Sequence, residues 1–204
     1  MSIYLIHNNK LAKIRSGIYS GKLIQKGSGP EPPAPPANET TIYGQTWMTK
    51  NLAIDDGLGG ITTRTVNYGK GDVVEYYYTQ EAAARVAGSV EGWHLPTGAE
   101  LTTLIYAVGD HGDDSWSGTK LKSTYGWSSE NGVDVYRFAA FPAGYYDDSV
   151  NYYGFGTDAQ FWSSTAGSGD NTYYFISFTN STDALIMGAN KLSRKSVRLI
   201  KDQP

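Results

Sequence analysis

A run of prolines near the N-terminus divides the chain into two parts. Residues 27–37 read GSGPEPPAPPA, and proline lacks the N–H group that helices and central strands need. Such a segment prefers the extended polyproline conformation and acts as a semi-rigid spacer. We therefore predict an N-terminal arm at residues 1–26, a linker at residues 27–39 and a folded domain at residues 40–204.

The arm contains the short β-like runs SIYLI, LAKIR and KLIQK, separated by residues that favour turns. Its charged residues are all basic: Lys10, Lys13, Arg15, Lys22 and Lys26. Because so few residues cannot bury a core, we expect the arm to become ordered by docking on a larger assembly or by self-association. A disordered leader is the alternative.

Composition excludes several classes of protein. The 204 residues include no Cys, so disulfides, zinc–thiolate sites and thiol nucleophiles are ruled out. The formal net charge is -3 and no basic stripe is present, so we expect no nucleic-acid partner. The apolar run before His7 is too short for a signal peptide or a membrane span. We therefore expect synthesis in the cytoplasm, with export only inside an assembled particle and a cell-surface location disfavoured.

Two helices are predicted in the domain. Thr97 and Glu100 have the spacing of a capping box ahead of a helix whose buried face would carry Leu101, Leu104, Ile105 and Val108. The run TQEAAARVAG, residues 79–88, predicts a shorter helix that Gly88 ends. Most other segments alternate like strands. We expect an α+β domain with two helices, short strands and a long irregular Gly-rich region.

Catalytic and metal-binding motifs are weak. His94 lies outside any ligand spacing, so we expect it to be a structural hydrogen-bonding residue. The acidic run 110–115 lacks the EF-hand order, and the GFGTDA run at 154–159 lacks a framing strand and helix. We expect no enzyme activity, no catalytic residue, no metal ligand and no cofactor.

Six phrases in order resemble the Fibrobacter succinogenes major paralogous domain family over residues 40–202. They are TIYGQTWMTKNLAI, GWHLPTGAEL, GTKLKSTYGW, FPAGYY, FWSST and KSVRLI. The resemblance implies a C-type-lectin fold, similar to formylglycine-generating enzymes and to the variable proteins that retroelements diversify in phages and bacteria. Formylglycine-generating enzymes act through cysteines, so that activity does not carry over to this chain.

The segment at residues 148–175 is rich in Tyr, Asn, Asp, Ser and Gly and contains no Lys, Arg or Glu. Tyr gives a large contact area at low rotamer cost, and the small polar residues give adaptable hydrogen bonds, as in antibody paratopes. We therefore predict one exposed ligand-binding surface. Its candidate residues are Tyr146, Asp148, Asn151, Tyr153, Phe155, Asp158, Ser168, Asp170, Asn171, Tyr173, Phe175, Ser177, Asn180 and Asp183.

Alternation within residues 173–179 predicts Tyr174, Ile176 and Phe178 as the inward face. The residues predicted to point outward are Tyr173, Phe175, Ser177 and Thr179. The alternative is that the opposite parity is buried and the tyrosines are ordinary sheet residues. We assign to the core a set of large aromatic residues: Trp47, Trp93, Trp127, Phe141 and Trp162.

These observations predict a non-enzymatic receptor-binding display protein of the retroelement-diversified, phage-tail type. Its ligand would be a cell-surface protein or glycan, and the arm would attach it to a virion or other surface assembly. Homotrimerisation is expected by analogy, and no membrane insertion is expected because the apolar runs are short. A bacterial carbohydrate-binding or adhesion module of the same family is the alternative. An enzyme on the same fold would need a catalytic cluster that the sequence does not offer.

Overall fold

The structure, a computed structural model, describes residues 4–7, 10–13, 38–110 and 112–203. The chain divides into two compact units, Met1–Ala34 and Pro35–Pro204. In the first unit, strands β1 (Tyr4–His7) and β2 (Lys10–Lys13) pair antiparallel. They overlap two of the β-like runs predicted for the arm, SIYLI and LAKIR. The KLIQK run and the linker before residue 38 lie outside the described residues.

The strands of the second unit form two sheets and a separate hairpin. The larger sheet has the order β12-β11-β10-β8-β9, the smaller has the order β3-β4-β13-β7, and β5 pairs with β6. The strands are β3 (Glu39–Ile42), β4 (Gln45–Met48), β5 (Ile61–Asn67), β6 (Asp72–Tyr78), β7 (Trp93–His94), β8 (Ala143–Tyr146), β9 (Tyr152–Phe155), β10 (Ala159–Ala166), β11 (Thr172–Phe178), β12 (Leu185–Asn190) and β13 (Ile200–Lys201).

The helices in the described part of the chain are α1 (Gln80–Ala87), α2 (Gly98–Val108) and α3 (Ser117–Leu121). The α+β class is confirmed, and so are the two predicted helices. The prediction of only two helices is wrong, because α3 was missed: it is a five-residue helix that contains Gly118 and has no capping side chain at its start. A single turn of this kind leaves no readable periodicity.

The local signals of α2 are realised in the structure. The Oγ1 atom of Thr97 accepts a hydrogen bond from the backbone N–H of Glu100 at 3.2 Å, and the Glu100 carboxylate accepts one from the Thr97 N–H at 2.8 Å. This capping box satisfies backbone donors that a helix start leaves unpaired. The predicted inner face of α2 is buried in the main core.

The two long helices pack on opposite faces of the β10–β11 pair. Phe161 of β10 lies opposite Ile176 of β11, and both belong to the core cluster that contains the buried face of α2. Trp162 and Phe175, the next pair along the strands, belong to the cluster that contains the alanines of α1. Because successive strand residues point to opposite faces, β10 and β11 are covered on both sides.

The second half of the domain is more regular than predicted. Residues 143–190, expected to be long, irregular and Gly-rich, contain all five strands of the larger sheet. Gly144 lets two neighbouring strands approach each other closely. It has φ +73, and a side chain at this position would collide with the carbonyl oxygen of Tyr153 on the neighbouring strand. Gly144 therefore allows β8 and β9 to approach closely.

Candidate functional site

The predicted contact residues differ widely in exposure. The half-buried ones are Asp158, Tyr173 and Asp183, and the buried ones are Tyr146, Phe175 and Ser177. The exposed ones are Asp148, Asn151, Tyr153, Phe155, Ser168, Asp170, Asn171 and Asn180.

The prediction that Tyr146, Phe175 and Ser177 point outward is wrong. Phe175 is 4% exposed and packs edge-on against Trp162, with ring centroids 6.0 Å apart. Ser177 follows on the same face of β11, and Tyr146 packs edge-on against Tyr77. The alternation rule assumes one solvated face, whereas β11 is an interior strand with both faces covered.

The strand directions sort the remaining predicted residues into two groups. Strands β8 and β10 are parallel, so the turns that follow them lie toward the same end of the sheet. These turns carry Asp148, Asn151, Ser168, Asp170 and Asn171. Phe155, Asp158, Asn180 and Asp183 lie toward the other end, and a strand such as β11, with seven residues, spans roughly 20 Å. The structure therefore does not gather all of them at one end of the sheet.

Two of the half-buried acids hold loops together. A carboxylate oxygen of Asp183 accepts a hydrogen bond from the Trp116 N–H at 2.7 Å, immediately before α3. The Asp158 carboxylate accepts one from the Thr157 hydroxyl at 2.7 Å, and its backbone oxygen accepts one from the Gly144 N–H. The Asp183 carboxylate therefore links two segments, whereas Asp158 makes its contact between segments through its backbone oxygen.

Two aromatic residues of the predicted surface, both on β9, are exposed. Tyr153 is 48% exposed and Phe155 is 43% exposed. Within the described residues β9 pairs only with β8, so it is an edge strand of the sheet. The Tyr153 ring lies 5.9 Å from that of Tyr145, and the Phe155 ring lies 5.9 Å from that of Tyr68. Large apolar groups at a sheet edge are typical of contact surfaces.

A cavity of about 350 Å³ lies close to this edge, since Tyr68 contacts Phe155 and also lines the cavity. The wall is aromatic and aliphatic: Tyr68, Val73, Val74, Tyr125 and Phe141. The predicted contact residues do not line it. Phe141, which we assigned to the core, is half-buried because it forms part of this wall.

The cavity also has a polar lining of three linked side chains. Glu75, 6% exposed, accepts hydrogen bonds from the Tyr68 hydroxyl at 3.0 Å and from Nδ2 of Asn51 at 2.8 Å. Asn51 in turn accepts a hydrogen bond from Nη2 of Arg198 at 2.7 Å. Arg198 also donates to the backbone oxygens of Met48 and Phe138. A buried carboxylate and a buried guanidinium are thus joined through one amide.

Burial governs the ionisation of this network. It lowers the pKa of Arg198 to about 10, although the charges of Glu75 and Asp134 favour the protonated form. Burial also raises the pKa of the Tyr68 hydroxyl, and the neighbouring Glu75 charge acts in the same direction. At neutral pH the Tyr68 hydroxyl therefore keeps its proton and donates a hydrogen bond to Glu75.

The sequence contains a weak signal for this network, although neither charged residue is among the predicted site residues. Arg198 stands inside the apolar run KSVRLI, and Glu75 stands inside DVVEYYY. A charged residue within a strand that is otherwise apolar is seldom buried unless it has a partner. The signal marks each residue, but it does not say which residues meet.

The other polar candidates have structural contacts. The ring nitrogens of His94 contact Asp202 at 2.6 Å and Glu100 at 3.0 Å, as a hydrogen-bonding role predicts. Within the described residues, no group of three or more His, Asp or Glu side chains could hold a metal ion. Likewise, none of the described helices has the length and apolar character needed to cross a membrane.

Trp93, which we also assigned to the core, is half-buried, so this assignment is wrong as well. It lines a second cavity, of about 340 Å³, which shares the lining segment at residues 50–53 with the first cavity. Trp47, Trp127 and Trp162 are buried as predicted.

Comparison with known proteins gives one match. The model of a family described as the Fibrobacter succinogenes major domain matches residues 40–201. No curated protein and no solved structure matches the chain. The matched range covers the first cavity and the described strands of the second unit except Glu39, the first residue of β3.

Proposed function

This chain belongs to the Fibrobacter succinogenes major domain family, and we propose that it is a non-enzymatic ligand-binding display protein. Its fold is of the C-type-lectin kind, and its relatives in function are the retroelement-diversified variable proteins of phage tails. Its ligand is a protein or glycan on a cell surface. The ligand contacts exposed residues of the segment at residues 145–183, and the buried residues of this segment do not touch it.

One observation carries the proposal: the exposed aromatic edge made by Tyr153 and Phe155 on β9. Both side chains stand on a strand held by the sheet, so they lose little freedom when a ligand covers them. Tyrosine and phenylalanine are also among the residues that contribute most area at protein interfaces. A rigid aromatic edge is therefore suited to binding.

Composition around this edge supports the same function. Residues 148–175 contain no Lys, Arg or Glu. Long charged side chains lose more conformational entropy on being fixed and are depleted from interface cores. Asp148 and Asn151 in the turn before β9 are exposed and can supply hydrogen bonds next to the aromatic edge.

The N-terminal arm is proposed to attach the domain to a larger assembly, with the Pro-rich linker as spacer. A spacer is useful when the binding face must project from its anchor. We therefore propose that the protein acts on the virion, where three copies of this chain form a trimer. Trimerisation rests on analogy with tail proteins.

The test is a binding titration of the fluorescently labelled full chain on intact cells from a panel of bacterial strains. We expect saturable binding to at least one strain. The double variant Tyr153→Ala/Phe155→Ala should bind that strain about tenfold more weakly or worse, because truncated aromatic anchors usually cost that much.

Tyr106→Ala/Leu192→Ala is the matched control, since Tyr106 is 49% exposed and Leu192 is 54% exposed. It should bind like the unaltered chain. Equal losses in the two double variants, or no saturable binding to any strain, would overturn the proposal.

A further inference from the structure

We propose that the cavity beside β6, lined by Tyr68, Tyr125, Phe141 and Glu75, is a second binding site that takes a single neutral sugar ring. This site is separate from the edge formed by Tyr153 and Phe155. The inference therefore goes beyond the display function and does not depend on it.

The wall of the cavity suits a flat, partly apolar ring. Phe141 packs against both tyrosines, with ring centroids 4.9 Å from Tyr68 and 4.9 Å from Tyr125. Val73 and Val74, which are 44% and 51% exposed, complete an apolar rim. The faces of aromatic rings are negatively polarised and attract the weakly positive C–H groups on one face of a pyranose.

The polar lining suits hydroxyl groups. Each carboxylate oxygen of Glu75 receives one hydrogen bond from the protein, from Tyr68 or from Asn51, and has a further acceptor position. A sugar hydroxyl group can donate a hydrogen bond to such a position, so a sugar supplies what the Glu75 carboxylate lacks.

The distribution of charge disfavours an ionic ligand. Glu75 and Arg198 carry opposite charges and are linked through Asn51, so this pair has no net charge. An anion would meet the Glu75 carboxylate. A cation would meet Arg198 and Lys50 at the lining, and Lys70, whose Nζ lies 3.7 Å from the centroid of the Tyr125 ring, already occupies a position where an ammonium ligand would bind.

The size of the cavity limits the ligand to about one ring. Its volume of about 350 Å³ is at the lower end of the roughly 300–1,000 Å³ range of small-molecule sites. A longer glycan would extend over the rim toward Phe155, whose ring contacts Tyr68.

The test is saturation-transfer NMR and titration of the full chain with the methyl glycosides of glucose, galactose, mannose and N-acetylglucosamine. We expect at least one to bind saturably with a dissociation constant in the millimolar range, as is usual for small neutral ligands. Tetramethylammonium and glucuronate serve as the cationic and anionic probes and should bind more weakly. Tighter binding of either ion, or no saturable binding of any glycoside, would overturn the inference.

Val74→Trp should fill the cavity mouth and weaken glycoside binding about tenfold or more. The matched control is Val135→Trp, because Val135 is 60% exposed and does not line the cavity. Equal effects of the two variants would contradict the assignment of the site. Tyr153→Ala should leave glycoside binding unchanged, so that failure of this inference can be told from failure of the display function.

Discussion

Nη2 of Arg198 donates a hydrogen bond to Oδ1 of Asn51 at 2.7 Å, although the two residues are 147 positions apart in the sequence. This contact links the segment just before β13 to the segment just after β4. The Arg198 guanidinium also lies over the rings of Phe138 and Phe161, at 4.7 and 5.1 Å from their centroids. One buried cation therefore holds together parts of the chain that form both the core and the cavity.

Arg198→Met should destabilise the domain by about 3–5 kcal/mol, because it leaves Asn51 and several backbone oxygens without their buried partner and the Glu75 charge without its buried counter-charge. Urea unfolding followed by tryptophan fluorescence would measure this. Arg64→Met is the control: Arg64 is exposed and lies over the Tyr152 ring, so its loss should cost about 1 kcal/mol or less. Similar losses for both variants would show that Arg198 has no special structural role.

Lys195 should make stability depend on pH. It is 2% exposed, its Nζ donates a hydrogen bond to Gln160 at 2.6 Å, and burial lowers its pKa from 10.5 to about 7. Between these two values the unfolded chain binds the proton and the native chain does not, so stability rises with pH by up to about 1.4 kcal/mol per unit.

Urea unfolding at pH 7 and pH 9 should therefore show a rise in stability that Lys195→Met lacks. The comparison stops at pH 9. At higher pH the unfolded chain loses tyrosine protons that the buried native tyrosines keep, so stability then falls as pH rises. A parallel pH dependence of the variant and the unaltered chain would contradict this account of Lys195.

His94 should make stability fall as pH rises, which is the opposite of the effect of Lys195. Burial opposes its protonation, but hydrogen bonds to Asp202 and Glu100 outweigh burial and raise its pKa above the ordinary value of 6.5. The stabilisation is therefore complete below pH 6.5 and is lost as pH rises through the native pKa. His94→Gln should cost less than about 1 kcal/mol, since the side chain is partly exposed, and should cost more at pH 5.5 than at pH 8.5. Thermal melts showing the same loss at both pH values would rule this out.

The scaffold and the exposed edge should respond differently to substitution. Trp162 is fully buried and its Nε1–H donates to the Tyr78 backbone oxygen at 2.7 Å, so Trp162→Ala should cost about 3–5 kcal/mol. Tyr153→Ser should change stability by less than about 0.5 kcal/mol, as is usual for exposed positions. Thermal melts with equal losses would contradict the division between scaffold and surface.

Local signals in the sequence were sufficient for some elements. The capping box of Thr97 and Glu100, the buried face of α2 and the end of α1 at Gly88 depend on residues within a few positions of one another. The third helix was missed because a five-residue helix has no repeating pattern to read.

Long-range contacts explain the errors. Whether Phe175 is buried depends on α1, which lies far away in the sequence and covers that face of β11. The cavity joins Asn51, Glu75, Phe141 and Arg198, which come from four separate segments. Alternation tells which residues share a face, but it does not tell whether another element covers that face.

The most direct test of the display function is a saturation library of residues 145–183 in the full chain, sorted once for protease resistance and once for binding to cells. Substitutions at Tyr153 and Phe155 should preserve protease resistance and weaken binding about tenfold or more. Substitutions at Trp162, Ile176 and Phe178 should lose both properties together. Variants of Tyr153 and Phe155 that bind cells normally, or that lose folding and binding together, would contradict the account.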